Sequence, residues 1–124
     1  MKLTHALVSV VDDDKSVRES LPDLLQEFGF SVNTFSSAEE FLASDAVDKT
    51  KSLILDVAMP DMTGPELQVE LARRGKGIPI IYITAQRDST IRQRLIEQGA
   101  VECLFKPFSD QVLQEALSSA LRGP

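Results

Sequence analysis

Polar residues that could carry out chemistry follow four of the apolar segments of this chain. Asp12 and Asp13 follow "ALVSVV", and Asp56 follows "SLIL". Thr84 ends "IPIIYIT", and Lys106 ends "AVECLFK". Carboxylates that lie close together repel one another, and a hard divalent cation with oxygen ligands, such as Mg²⁺, relieves that repulsion. A carboxylate nucleophile, a metal, a lysine and a hydroxyl together describe phosphoryl transfer to an aspartate, provided that the fold brings them together.

Short apolar segments alternate with longer amphipathic segments, and this alternation predicts a parallel sheet with helices on both faces. The expected fold is α/β, a (βα)5 doubly wound, flavodoxin-like domain with five parallel strands in the order 2-1-3-4-5. In that order the first and third strands are neighbours, so the aspartates at their ends would converge where ligands bind. The predicted strands are residues 6–11, 30–35, 52–56, 78–84 and 100–106, and the predicted helices are residues 15–28, 36–44, 63–75, 88–99 and 109–122.

Local signals predict where two of the helices begin and where the chain is loosely held. Ser36 and Glu39 have the spacing of a capping box, and so do Thr63 and Glu66. The segment 44–52, "SDAVDKTKS", is the most polar connection and is predicted to be a mobile loop.

Composition limits the class of protein. The length of 124 residues suits one domain, residues 1–124, and "RGP" at 122–124 is typical of the start of a linker or of the end of a fragment excised from a longer regulator. The net charge of −6 at pH 7 argues against nucleic-acid binding by this domain, because phosphate contacts need a basic surface. The single cysteine, Cys103, cannot form an internal disulfide, which fits a reducing, cytoplasmic compartment. No segment reaches the length of a membrane span, so no membrane association is expected.

Four motifs together resemble the receiver (CheY-like) domain of bacterial two-component response regulators. They are "VVDDD", "LILDVAMPDMTG", "IIYITA" and "LFKPF", and they cover essentially the whole chain in order. Two further stretches, "SAEEFL" and "MPDMTGPEL", look most like the FixJ-type subgroup of that family. Each motif is weak by itself, but the combination on alternating strands is highly specific.

The resemblance implies a role for each residue of the expected site. Asp56 would accept a phosphoryl group from a sensor histidine kinase. Asp12 and Asp13 would hold Mg²⁺ with Asp56, and the main-chain carbonyl of Ala58 would be a further ligand. Lys106 would pair with the phosphoryl oxygens.

The resemblance also implies a switch, and here the chain departs from the family. Thr84 would reorient towards the phosphoryl group and move the loop that follows the fourth strand. The family usually has a tyrosine or phenylalanine three residues before the lysine, as the partner of this threonine, but here that position is Cys103. A thiol cannot swing as a ring does, so coupling through Cys103 is not expected, and Tyr82 and Phe105 are candidates for an aromatic ring in its place. We therefore expect a weak or re-routed switch.

Two prolines give sharp structural expectations. Pro22 lies inside the first helix, where it removes one backbone hydrogen bond and crowds the carbonyl of Arg18, so a bend is predicted between these residues. The resemblance implies that the Lys106–Pro107 peptide bond is cis, a state that is rare elsewhere.

The resemblance implies a signalling protein that catalyses only its own phosphotransfer and dephosphorylation and is not otherwise an enzyme. Its partners would be a sensor histidine kinase, a second copy bound when phosphorylated, and a DNA-binding effector domain that controls transcription in a longer regulator. The alternative is a receiver-like interaction module that phosphorylation does not switch. A phosphatase of the haloacid dehalogenase type would need a cap domain, for which 124 residues leave no room. A flavodoxin-like cofactor binder would need a phosphate loop rich in hydroxyl groups and glycine after the first strand, where this chain has the acidic "DDDKS".

Overall fold

The predicted α/β fold is confirmed by a computed structural model, which describes residues 6–122. Five parallel strands lie in the order β2-β1-β3-β4-β5. Residues 1–5 and 123–124, which include most of the predicted linker at 122–124, lie outside the described residues. In chain order the elements are β1 (Leu7–Val11), α1 (Lys15–Glu27), β2 (Ser31–Phe35), α2 (Ala38–Leu42), β3 (Ser52–Asp56), α3 (Gly64–Arg73), β4 (Ile80–Thr84), α4 (Ser89–Glu97), β5 (Glu102–Phe105) and α5 (Asp110–Arg122).

The sheet separates two apolar layers. Because side chains alternate along a strand, neighbouring residues of β4 such as Tyr82 and Ile83 belong to opposite layers. The layer that contains Tyr82 is covered by α2, α3 and α4, and the layer that contains Ile83 is covered by α1 and α5. Every residue of β3 and β4 is buried, as expected for central strands of a parallel sheet.

The capping box predicted at Thr63 is confirmed, and the one predicted at Ser36 is wrong by one residue. Thr63 accepts a hydrogen bond from the backbone N–H of Glu66, whose carboxylate accepts one from the backbone N–H of Thr63. At α2 the cap is Ser37, which accepts from the N–H of Glu40 at 3.1 Å. The repeated "SS" and "EE" allow both registers, and burial of the α2 side chains Ala38 and Phe41 selects the observed one.

The prediction of a mobile loop over residues 44–52 is wrong. Asp45–Asp48 forms a 3-10 helix in which Ala46 and Val47 are buried. The buried Thr50 hydroxyl shares a 2.6 Å hydrogen bond with Ser9 Oγ and also donates to the main-chain oxygen of Ala46 at 2.7 Å. Two small apolar residues and one satisfied hydroxyl are enough to pack this polar segment onto the core.

Of the two predictions that concern proline, the structure confirms the one for Pro107 and does not test the one for Pro22. The Lys106–Pro107 bond is cis, as predicted. Residues on both sides of Pro22 belong to helix α1, so the proline does not end the helix. The bend expected there stays a prediction. Within residues 6–122, no helix is both long enough and apolar enough to cross a membrane.

Candidate functional site

Three carboxylates meet at the carboxyl edge of the sheet, where β1 and β3 end side by side. The two strands are paired in parallel with Val11 opposite Leu55, so the residues at their ends come together. Asp12 and Asp13 follow β1, Asp56 ends β3, and one carboxylate oxygen of each lies within 4.8 Å of the other two. Asp12 and Asp56 are buried, whereas Asp13 is exposed.

Hydrogen bonds fix the fully buried Asp12. Its Oδ1 accepts from the backbone N–H of Asp14 at 2.9 Å, and its Oδ2 accepts from Lys106 Nζ at 3.1 Å. Its main-chain oxygen accepts from Arg18 Nη1, also at 2.9 Å. This role of Arg18 was not predicted, although side chains on a helix point back towards its N-terminus, and Arg18 lies in the first turns of α1.

Three carboxylates and one ammonium group leave an excess of negative charge at this edge, which disfavours the ionised form of Asp56. The pKa of the Asp56 carboxyl is raised from 3.8 to about 7. The main cause is burial, and the neighbouring Asp12 carboxylate adds to the rise. Lys106 opposes it, but one ammonium cannot neutralise three carboxylates. Clustered carboxylate oxygens are the ligands that Mg²⁺ prefers, so the residues present fit that cation.

The connection between β3 and α3 lies beside the acidic cluster. Ala58 is exposed in this connection, two residues after Asp56. The backbone N–H of Gly64 donates to the main-chain oxygen of Val57 at 3.0 Å and closes the loop between them. A Cβ added at Gly64 would lie 2.4 Å from the main-chain oxygen of Asp56, so only glycine fits where α3 begins.

Thr84 and Lys106 end adjacent strands on the other side of β3. Thr84 lies opposite Phe105 in the β4–β5 pair, and the backbone N–H of Lys106 donates to the Thr84 main-chain oxygen at 2.8 Å. The buried Thr84 hydroxyl accepts a hydrogen bond from the backbone N–H of Gln86 at 3.1 Å. Thr84 therefore contacts the loop that it is expected to move.

Cys103 is small, but one aromatic residue lies opposite it on β4 and another follows two residues later on β5. Cys103 is buried and lies opposite the fully buried Tyr82 in the β4–β5 pair. Phe105 is half-buried, and the Arg87 guanidinium lies 6.0 Å above its ring. Burial is the main cause that raises the pKa of both the Cys103 thiol and the Tyr82 hydroxyl, so both groups are neutral at pH 7.

The fold and these side chains are those of a signalling module rather than of a conventional enzyme. The chain belongs to the family described as "Response regulator receiver domain", which matches residues 8–118. The phosphorylation-switched receiver is therefore favoured over a receiver-like interaction module that phosphorylation does not switch.

Among curated proteins, the chain is 45% identical to Nodulation protein W of Bradyrhizobium diazoefficiens, over 94% of this chain and 52% of that protein. It is 39% identical to Transcriptional regulatory protein FixJ of Rhizobium meliloti, over 95% of this chain and 58% of that protein. The crystal structure of FixJ-N superposes with a TM-score of 0.86 at 36% identity and covers 98% of both chains. The low-resolution structure of the response regulator StyR gives a TM-score of 0.86 at 44% identity, over 96% of this chain and 60% of that one. The chain spans about half the length of the curated relatives it matches.

Proposed function

We propose that Asp56 is the phosphoacceptor of this receiver domain and that a sensor histidine kinase phosphorylates it in a Mg²⁺-dependent reaction. The observation that carries the proposal is the meeting of the Asp12, Asp13 and Asp56 carboxylates within 4.8 Å, with Lys106 Nζ 3.1 Å from Asp12. Such a cluster would be unfavourable without a cation, and its lysine can pair with an anion.

Each residue has a distinct part in the proposed reaction. An Asp56 carboxylate oxygen attacks phosphorus, the P–N bond to the kinase imidazole breaks, and the electron pair passes to that nitrogen. Asp12, Asp13 and the Ala58 carbonyl would hold Mg²⁺ with Asp56, and the cation would supply charge stabilisation at the phosphoryl oxygens. Lys106 exchanges its contact with Asp12 for one with a phosphoryl oxygen.

Thr84 supports a switch of limited size. Its hydroxyl now accepts from the N–H of Gln86, and it would instead donate to a phosphoryl oxygen on Asp56. A hydrogen bond to a charged group contributes about 1.5–3 kcal/mol, which corresponds to roughly a 10- to 100-fold change in population. Thr84→Ala should therefore abolish the loop rearrangement without preventing phosphorylation, and an unchanged response of the Gln86 amide resonance would overturn this part of the proposal.

The wider function is proposed from the relatives. Residues 1–124 form one receiver domain of a cytoplasmic regulator, which pairs with a second copy when phosphorylated and controls a DNA-binding effector domain. The relatives named as transcriptional regulators and the partial coverage of their length support this arrangement. The domain also catalyses its own dephosphorylation.

The experiment is intact-mass measurement after incubation with acetyl phosphate, with and without Mg²⁺. The wild type should gain one labile phosphoryl group only with Mg²⁺, and Asp56→Asn should gain none. Asp61→Asn is the matched control, because Asp61 is an exposed aspartate of the same loop whose φ of 66° suits asparagine. Phosphorylation of the Asp56→Asn variant, or none of the wild type, would refute the proposal.

A further inference from the structure

Tyr82 lies in the middle of β4, which has β3 and β5 as its neighbours in the sheet. Tyr82 is on β4, two residues before Thr84, and both side chains point to the same face of the sheet. It lies opposite Cys103, so this pair places the large side chain on β4 and the small one on β5. The fully buried ring is thus attached to the strand that ends in Thr84.

Tyr82 contacts α3 at two points that are one helical turn apart. Its hydroxyl donates a hydrogen bond to Gln68 Oε1 at 2.7 Å. A Cβ added at Gly64 would lie 2.9 Å from Tyr82 Cε1, so the ring packs against the bare backbone at the first residue of α3. The same added atom would meet the main-chain oxygen of Asp56, which places the ring close to the backbone of the proposed phosphoacceptor.

Gln68 extends this connection to α4. While its Oε1 accepts from Tyr82, its Nε2 donates to the main-chain oxygen of Gln98 at 3.2 Å. Gln98 is the C-cap residue that follows α4. A single amide therefore joins the middle of β4 to the C-terminal end of α4, by two hydrogen bonds that can be removed separately.

We propose that Tyr82 and Gln68 are positioning residues that couple the Thr84 end of β4 to the C-terminal end of α4. They would do so in place of the aromatic ring that the family usually has at the position of Cys103. A movement of β4 that brings Thr84 towards Asp56 displaces the Tyr82 hydroxyl relative to Gln68, and the Gln68 amide carries that displacement to Gln98. The inference rests on the proposed function, because the coupling needs a phosphorylated Asp56.

Two variants break one bond each. Tyr82→Phe keeps the ring and removes only the hydroxyl. Gln68→Glu keeps an acceptor for Tyr82 but cannot donate to Gln98. Gln26→Glu makes the same change of charge at an exposed position of α1 and is the control.

The measurement is the change in amide NMR resonances on phosphorylation by acetyl phosphate and Mg²⁺, with the extent of phosphorylation taken from intact mass. In the wild type and in Gln26→Glu we expect changes at Gln86, Gln98 and Gly99. In the two test variants the change at Gln86 should persist and the changes at Gln98 and Gly99 should fall about 2- to 12-fold. That range corresponds to the net contribution of one hydrogen bond.

The outcomes separate the inference from the function on which it rests. Equal phosphorylation with full responses at Gln98 and Gly99 in both variants would overturn the inference and leave the proposed function intact. A phosphorylated wild type without any response at these two amides would do the same. Failure of the wild type to accept a phosphoryl group would overturn both.

Discussion

Replacing Gly64 by alanine tests how closely α3 packs against the phosphoacceptor strand. The added Cβ would lie 2.4 Å from the main-chain oxygen of Asp56, 2.9 Å from Tyr82 Cε1 and 3.2 Å from the Cα of Val57. The first and last of these atoms belong to the backbone and cannot rotate away. The substitution therefore forces α3, the loop after Asp56, or both, to move.

The expected cost follows from two opposing effects. Restricting the unfolded chain by a glycine-to-alanine change stabilises a protein by about 0.4–1 kcal/mol where the native backbone accepts it. Forcing an extra methyl group into a packed region costs about 1–3 kcal/mol. Gly64→Ala should therefore lower the free energy of unfolding by about 1–2 kcal/mol, or Tm by about 3–10 °C. Because the loop that carries Ala58 moves with Gly64, Mg²⁺ binding should also weaken.

Urea denaturation with Gly77→Ala as the matched control checks this prediction. A Cβ added at Gly77 meets nothing within 4 Å, and its backbone lies outside the left-handed region. The control should keep wild-type stability or gain up to about 1 kcal/mol. If Gly64→Ala were as stable as Gly77→Ala, the close approach of α3 to the Asp56 carbonyl would be wrong.

Three further predictions concern charge, metal and the buried hydroxyl pair. Because the pKa of Asp56 is raised from 3.8 to about 7, the folded protein holds a proton in this window that the unfolded chain releases. The free energy of unfolding without metal should therefore fall as pH rises from about 4 to 7, and this fall should be much smaller in Asp56→Asn when both are followed by urea titration. Saturating Mg²⁺ should raise the Tm of the wild type at pH 7.5, EDTA should reverse the shift, and an equal shift in Asp56→Asn would contradict the proposed ligand set. Thr50→Val should cost about 1–3 kcal/mol by leaving the buried Ser9 hydroxyl without its partner, while the Ala46 carbonyl keeps the backbone N–H groups of Lys49 and Thr50, and unchanged denaturation would contradict that role.

The sequence predicted the fold and most of the candidate site because both depend on short-range patterns. Apolar strands alternating with amphipathic helices predict a doubly wound parallel sheet. Such a sheet brings the carboxyl ends of its strands to one edge, so residues that end strands, such as Asp12, Asp56 and Thr84, could be expected together without any knowledge of packing. The Thr63 capping box was equally local, since its two partners are three residues apart.

The failures of prediction came where a local pattern allowed two answers. Either serine of "SS" could cap α2, and burial of Ala38 and Phe41 decided in favour of Ser37. The polar side chains of residues 44–52 predicted a mobile loop, but the hydrogen bond between Thr50 and Ser9, which is distant in the chain, holds the segment on the core. In both cases the choice depended on a surface supplied by another part of the chain.

What the sequence determined by itself was the set of reactive groups and the strand ends on which they stand. Only the tertiary structure decided how those groups act on one another. It raises the pKa of Asp56 and places the Arg18 guanidinium where it donates to the Asp12 carbonyl. It also connects Tyr82 through Gln68 to the end of α4 by two hydrogen bonds. The physical reason is that burial and hydrogen bonding depend on distances between segments remote in the chain. Helix and strand periodicity fix which face a side chain occupies, but the packing of the layers fixes what it meets there.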